Sequence, residues 1–115
     1  MIAIMAAMFG AERRPPIIPV REWASAIGAL DPVDAQRLAV KIIEAAMTAP
    51  VVILDFVGVP VVSSGFSNAL FVTLAEARSL DEWQQKLQLK GLGARQSELV
   101  AKSIRAVRER AVASE

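Results

Sequence analysis

The residues best suited to chemistry are two adjacent serines, Ser63 and Ser64, which separate an apolar run from a helical pattern. A serine becomes a nucleophile when a neighbouring base removes its proton, and histidine is the usual base. The chain has no histidine, cysteine or tyrosine, and the serines do not lie in the Gly-x-Ser-x-Gly turn of hydrolases. A lysine could act as the base, yet nothing in the spacing brings one to the serines from among Lys41, Lys86, Lys90 and Lys102. We therefore expect no catalytic residue and a protein that is not an enzyme.

Carboxylates and glycines could form other kinds of site, but their spacing matches none of them. The acidic residues that could supply an acid and a base are scattered and carry no motif: Glu12, Glu22, Asp55, Asp81 and Glu82. Gly91 and Gly93 lie between a strand pattern and a helix pattern, as in a phosphate-binding loop, but the third glycine and the lysine of such loops are missing. A turn explains these glycines better. Without cysteine or histidine, we expect neither a metal nor a cofactor.

Two elements of regular structure position the serines. Residues 51–56 are β-branched or apolar except at Asp55, which is typical of a strand buried on both faces. A helix is predicted from about residue 64 to 78, because apolar residues recur there at helical spacing at Phe66, Leu70 and Leu74. The two serines and Gly65 therefore lie where a central strand gives way to a helix.

Signals along the rest of the chain predict further elements around this centre. Asp31, Pro32 and Asp34 indicate the start of a helix over residues 32–48. The remaining predictions are a strand at 2–9, a proline-rich connector without regular structure at 10–20, a short helix at 21–29, a turn at 79–83, a strand within 84–92 and a helix at 95–113. Strands that alternate with helices indicate an α/β protein. We expect a single domain over residues 1–115, with a central mixed sheet of about four strands covered by helices.

Composition places this domain among globular proteins. Hydrophobic residues make up 54% of the 115 residues and the net charge is +1, which argues against disorder and against a strongly electrostatic partner. The first ten residues are mostly apolar, but they lack the basic start of a signal peptide and are shorter than the roughly 20 residues that cross a bilayer. We expect a cytoplasmic protein without membrane association. A targeting segment at the N-terminus is the alternative.

A distinctive motif connects the predicted central strand to the following helix: Leu54-Asp55-Phe56, then Gly58-Val59, then Val62-Ser63-Ser64-Gly65-Phe66. This motif resembles the signature of STAS domains and, more closely, that of the bacterial STAS-like family. The later stretch Leu87-x-Leu-Lys-Gly-Leu, followed by a basic helix, is also similar to that family. The resemblance covers roughly residues 50–112 and implies a small STAS-like layer fold.

The resemblance implies a regulatory module that binds proteins. In the anti-sigma-factor antagonists among these proteins, an ATPase of the histidine-kinase-like type phosphorylates a serine at the start of the helix, and this releases the antagonist. Ser64 corresponds to that serine and Ser63 to its neighbour, although Val62 stands where an acidic residue is usual. We expect a protein partner, with a histidine-kinase-like ATPase as the candidate, at a surface that includes Asp55, Ser63, Ser64, Gly65 and the exposed faces of Ser67, Asn68 and Phe71.

Simpler roles for the same residues stay open at this point. Ser63 or Ser64 could merely cap the helix, which would stabilise it by about 1 kcal/mol. A phosphate there would instead add roughly −1.5 to −2 charges beside the positive end of the helix dipole. Asp55 either lines the serine surface or accepts hydrogen bonds from nearby backbone N–H groups.

The C-terminal third and the central helix indicate two other kinds of partner. Seven basic and three acidic residues follow Trp83, but no aromatic residue lies among them, which argues against nucleic acid. A solvated helix face explains this charge better, and an acidic protein partner is the other interpretation. Part of this charge is expected to be paired, because Glu98 lies four residues before Lys102. The central helix is apolar around much of its circumference, Phe71 included. Self-association of a structural protein into a homo-oligomer is therefore the alternative function.

Overall fold

A computed structural model describes residues 15–23, 31–59 and 61–113, with side chains as far as residue 110. The strands in these segments are β1 (Ile17–Pro19), β2 (Val52–Asp55) and β3 (Leu87–Lys90). The α-helices are α1 (Pro32–Thr48), α2 (Ser64–Ala77), α3 (Leu80–Lys86) and α4 (Ala94–Ala113), and a 3₁₀ turn spans Val20–Trp23. The predicted strand at 2–9 lies outside the described residues.

The described strands form one parallel sheet in the order β1-β2-β3. Pro19 pairs with Asp55, and Asp55 pairs with Lys90, so the three strands end at the same edge. Because this order follows the chain, right-handed crossovers place the connecting helices on one face of the sheet. The predicted α/β class is confirmed. The predicted mixed sheet is wrong for the described strands, since helical crossovers join strands that run parallel.

The core lies between the helices and one face of the sheet. Val52 and Leu54 are fully buried, while Ile53 and Asp55 alternate with them and are half-buried. The prediction of a strand buried on both faces is therefore wrong for the second face. Helix α2 packs against both α1 and α4, and it contributes a buried set from several sides of its circumference: Phe66, Ser67, Leu70, Phe71 and Leu74.

Strand β1 corrects the prediction that residues 10–20 have no regular structure. Proline lacks the N–H that a central strand would need, but the described residues place β1 at an edge, with β2 as its neighbour. The Ile53 N–H donates to the Pro16 carbonyl over 2.9 Å, so the prolines contribute acceptors to the ladder. The 3₁₀ turn Val20–Trp23 occupies the start of the helix predicted at 21–29, and residues 24–30 of that prediction lie outside the described chain.

Local capping explains why α1 begins where the sequence predicts. The Asp34 N–H donates to the Asp31 carboxylate over 3.0 Å, and the Asp31 N–H donates to the Asp34 carboxylate over 3.1 Å. This reciprocal pair satisfies two donors at the helix start, and Pro32 occupies the first helical position. The helix turns Leu38 and Ile42 into the core. The prediction for α1 is confirmed.

Helix α3 replaces the turn predicted at 79–83. Ser79 caps it by accepting a hydrogen bond from the Glu82 N–H over 3.2 Å. Trp83 is buried, and its indole N–H donates to the Leu74 carbonyl over 2.7 Å. This bond attaches α3 to the last turns of α2, which explains why so short a helix is stable here.

The last two elements follow the predictions closely. In β3, Leu87 and Leu89 are half-buried and alternate with the exposed Gln88 and Lys90, although the strand is shorter than predicted. Helix α4 begins one residue before the predicted start. None of the helices in the described residues is both long and apolar enough to cross a membrane.

Candidate functional site

The two serines have different roles at the start of α2. Ser63 is the N-cap: its hydroxyl oxygen accepts a hydrogen bond from the Phe66 N–H over 3.1 Å. Ser64 occupies the first helical position and is exposed. Its side-chain hydroxyl has no hydrogen-bond partner among the described residues. The capping role that the sequence leaves open for both serines therefore belongs to Ser63. The hydroxyl of Ser64 is available to solvent.

The start of α2 lies beside the start of α1. A methyl group added to Gly65 would contact the Pro32 side chain, with its carbon 3.7 Å from Cγ. Two exposed valines lie next to this contact in the sequence. Val33 follows Pro32 and is 61% exposed, and Val61 lies two residues before Ser63 and is 63% exposed. The serines and Gly65 thus share one end of the molecule with uncovered valine side chains.

Asp55 ends β2 and closes a turn at the same edge of the sheet. Its carboxylate accepts a hydrogen bond from the Val57 N–H over 2.9 Å. Of the two roles that the sequence leaves open for Asp55, bonding to nearby backbone N–H groups is therefore observed. The turn continues through Gly58, whose φ is +84°, into Val59, whose N–H donates to the Phe56 carbonyl over 3.0 Å. Asp55 is half-buried in this turn, and its contacts lie at the ends of β2 and β3.

The ends of β2 and β3 approach each other closely beside this turn. Gly91 has a φ of +80°, and a Cβ on it would lie 2.7 Å from the Val57 backbone nitrogen and 3.1 Å from the Asp55 carboxylate oxygen. The Phe56 N–H donates to the Lys90 carbonyl over 2.8 Å. Gly91 therefore belongs to a turn with close backbone packing, as the sequence predicts for this glycine.

Gln96 supports the serine loop, defined here as residues 61–65, and sequence reasoning missed it. Its side-chain amide donates to the Val59 carbonyl over 3.0 Å, and its side-chain oxygen accepts from the Gly93 N–H over 2.9 Å. The residue thus connects the segment before the loop to the start of α4. Gln96 is the third residue of α4, and a glutamine at that position is a capping signal. Its contact with Val59, 37 positions away, carries no sequence signature.

Two residues predicted at the exposed surface lie in the core instead. Ser67 is 1% exposed and Phe71 is 3% exposed, because they lie one helical turn apart on α2, which packs against helices on both sides. Their predicted exposure is wrong. Asn68 is half-buried, while Ser63, Ser64 and Gly65 are exposed. The exposed part of the predicted surface is therefore Ser63, Ser64 and Gly65, while Asn68 and Asp55 are only partly accessible.

The serine loop exposes hydroxyl, backbone and apolar groups. The residues that the structure describes include no group of three or more acidic side chains that could hold a metal ion. Within the same residues, no basic side chain forms a hydrogen bond with Ser64. An exposed hydroxyl in the first turn of a helix can instead be covered by a partner or accept a phosphoryl group.

Comparison with known proteins identifies a family. No curated protein and no solved structure matches the chain. A family described as STAS-like domain of unknown function (DUF4325) matches residues 34–95, more than half of the chain. The match begins within α1, earlier than the resemblance seen in the motif, and it includes β2, the serine loop, α2, α3 and β3. The chain therefore belongs to the STAS-like DUF4325 family.

Proposed function

We propose that this protein is a non-enzymatic regulatory module that binds a protein partner through the serine loop and the start of α2. The observation that carries the proposal is the separation of the two serines. Ser63 caps the helix, so Ser64 is exposed without a structural task among the described residues. A residue in that position can be covered or modified without removal of the cap.

Exposed apolar side chains around the loop favour a protein partner. Val57 is 58% exposed and lies in the turn that Asp55 closes, while Val61 begins the loop itself. Single exposed valines are ordinary on protein surfaces. Here Val33 and Val61 flank the contact between the helix starts in the sequence, and Val57 lies in the turn after β2. They offer apolar area close in sequence to polar groups, and interfaces combine the two.

A phosphate on Ser64 would act as a switch for such an interface. It would add roughly −1.5 to −2 charges at the start of α2, where the helix dipole stabilises negative charge by about 0.3–1 kcal/mol. The fold would therefore tolerate the modification. A partner docked over Ser64 and the neighbouring valines would lose apolar contact and would have to desolvate the new charge. The candidate modifying partner is a histidine-kinase-like ATPase, on the strength of the family resemblance.

Quantitative affinity capture tests the proposal with two matched variants. Wild type, Ser64→Asp and Ser97→Asp are used as bait in native lysate, and bound proteins and phosphosites are measured by mass spectrometry. Ser97 is also an exposed serine in the first turns of a helix, so the control carries the same change of charge in a similar position of α4. We expect a partner that wild type and Ser97→Asp retain and that Ser64→Asp loses about tenfold or more, with phosphate on Ser64 of the wild type. Identical partners for all three baits, with no phosphate on Ser64, would contradict the proposal.

Self-association is the alternative function. The apolar circumference of α2, which suggested it, has a simpler explanation. The apolar circumference of α2 is covered within a single chain, since α1 and α4 pack on it and Phe66, Phe71 and Leu74 are buried there. Sedimentation velocity over a range of concentrations tests this alternative. A mass that rises with concentration for wild type and not for Val61→Asp would favour an oligomer formed through the exposed valines.

A further inference from the structure

An apolar groove with a volume of about 410 Å³ lies where the middle of α2, at Phe71, meets α3, β3 and α4. Its floor and walls are apolar, and its rim carries two arginines; the main lining residues are Trp83, Leu87, Leu89, Ile104, Arg105 and Arg108. The groove is partly open to solvent along one side, so a ligand could enter without a rearrangement of the core.

The groove continues along α4. A second depression shares Ala101 and Arg105 with it and extends towards the start of the helix as far as Arg95. From Arg95 to Arg108 the helix rises by about 20 Å, at 1.5 Å per residue. A small molecule is usually enclosed in a compact pocket that buries most of its surface. A long and partly open surface of this kind suits a peptide segment better.

The charge along this surface is predominantly positive. Arg95, Lys102 and Arg105 border it, and none of them forms an ion pair among the described residues. Glu98 is the one acidic residue that lines the same depression. The predicted pairing of Glu98 with Lys102 is wrong, because no such ion pair is present. Arg108 does have a partner: it lies 3.2 Å from the carboxylate of Asp81 on α3.

We propose that this groove, defined by Leu87, Leu89, Ala101, Ile104 and Arg105, binds an acidic amphipathic helix of a partner protein. Such a helix would place its apolar side chains against the leucines and Ile104 and its carboxylates beside the unpaired cations. Helix-in-groove recognition uses this combination of apolar anchors and flanking charge. The chemistry of the occupant follows from charge complementarity, which also raises association rates and excludes basic partners.

Two other occupants fit the groove less well. A second copy of the chain that docked through the same surface would bring Arg95, Lys102 and Arg105 close to the same cations of its partner, and like charges repel. Single-stranded nucleic acid needs exposed aromatic faces for stacking, whereas both aromatic residues of the groove, Phe71 and Trp83, are buried. The basic surface thus favours an acidic protein segment.

The groove and the serine loop are separate surfaces. They share no lining residue, and the α2 residue of the groove, Phe71, lies seven positions after Ser64, which is about 10 Å along the helix. The two surfaces come nearest at the start of α4, where Arg95 lines the second depression and the neighbouring Gln96 bonds to Val59. The proposal therefore does not depend on the function proposed for the serines, and Ser64→Asp is expected to leave groove binding unchanged.

Titration of the ¹⁵N-labelled protein with designed peptides tests the proposal. The probe is a synthetic peptide of roughly 14 residues, long enough to span the groove at 1.5 Å per residue, with leucines at helical spacing and glutamates elsewhere. A matched peptide replaces every glutamate with lysine. We expect the acidic peptide to shift the indole N–H signal of Trp83 and the amide signals of Leu89, Ala101 and Arg105, and the basic peptide to leave them in place.

Two variants distinguish groove binding from general attraction of charge. Ala101 is exposed and lies in the groove, whereas Ala106 is exposed on the same helix and does not line it. Ala101→Glu is expected to weaken binding of the acidic peptide by about tenfold or more, and Ala106→Glu by about twofold or less, because the second charge lies away from the bound segment.

Several results would overturn the proposal. These are the absence of shifts in the groove with the acidic peptide, equal binding of the basic peptide, or equal effects of Ala101→Glu and Ala106→Glu. A uridine oligonucleotide that shifts the groove signals where the acidic peptide does not would assign the surface to nucleic acid. A dimer in sedimentation that Ala101→Glu dissociates would assign it to a second copy of the chain.

Discussion

Among the four glycines that the structure describes, Gly91 is the one at which an added methyl group should destabilise the fold most. Its φ of +80° lies in the left-handed region, which costs a residue with a side chain about 1–2 kcal/mol. The new Cβ would also lie 2.7 Å from the Val57 backbone nitrogen and 2.7 Å from its Cγ2. Backbone atoms of neighbouring strands have to move to remove such an overlap, and excess packing of this kind costs about 1–3 kcal/mol. We therefore expect Gly91→Ala to lower the free energy of unfolding by about 2–5 kcal/mol.

Gly58 provides the matched control for this prediction. Its φ of +84° imposes the same backbone strain, but the atoms nearest to an added Cβ belong to the side chain of Arg21, at 2.9 Å from Cδ. Arg21 is exposed and flexible enough to turn away. Gly58→Ala should therefore cost only the conformational term, about 1–2 kcal/mol. The difference between the two variants isolates the overlap between the ends of β2 and β3.

Urea unfolding followed by circular dichroism measures both changes. A domain of this size has a free energy of unfolding of about 5–15 kcal/mol, so a loss of several kcal/mol is easily resolved. The dependence on urea should stay the same in all three proteins, since the surface exposed on unfolding is unchanged. In Gly91→Ala, the amide signal of Val57 should also move, because its hydrogen bond to Asp55 lies beside the added methyl group. An equal loss of stability in Gly58→Ala and Gly91→Ala would refute the role assigned to close strand packing.

Three further substitutions test the packing of α2, each through urea unfolding. Gly65→Ala should raise the free energy of unfolding by about 0.5–1 kcal/mol, because alanine favours the helix and its Cβ would only touch Pro32 at 3.7 Å. A loss of stability would mean that the helix starts pack more tightly than observed. Ser67→Ala should stabilise the protein by about 0.5–1.5 kcal/mol, since the Ser67 hydroxyl is buried without a hydrogen-bond partner in the described residues; a loss would indicate an unseen partner such as a buried water. Trp83→Phe should cost about 1–3 kcal/mol, because it removes the 2.7 Å hydrogen bond to the Leu74 carbonyl and leaves a gap in the core; an unchanged midpoint would show that this bond contributes nothing net.

Local sequence signals predict the elements whose ends are fixed by neighbouring residues. The cap of α1 involves Asp31 and Asp34 alone, and the cap of α2 involves Ser63 and Phe66. In both cases donor and acceptor lie three residues apart, so the sequence contains the whole interaction. The family motif is predictable for the same reason, because its residues are contiguous from the end of β2 to the start of α2.

Elements stabilised by distant contacts are not predictable in this way. Helix α3 depends on Trp83, whose indole N–H bonds to a carbonyl nine positions earlier in another helix. Strand β1 contains Pro19, which a local interpretation assigns to a connector. Among the described strands β1 lies at the edge of the sheet, where proline is tolerated. Ser67 is buried because helices pack against α2 on both sides. Its polar side chain alone would predict an exposed position. Tertiary packing outweighs local propensity at all three positions.

The two adjacent serines show how stability and recognition can be separated within one helical turn. If Ser64 were the cap, phosphorylation would remove a hydrogen bond from the helix start, and the modified protein would lose part of its fold together with its partner. In the structure, Ser63 accepts the bond from Phe66 and Ser64 lies one position further on, exposed. Negative charge at that position is compatible with the helix dipole. A switch at Ser64 would therefore change the surface that a partner meets and leave α2 intact, which is why loss of binding without loss of stability is the result that the proposed function requires.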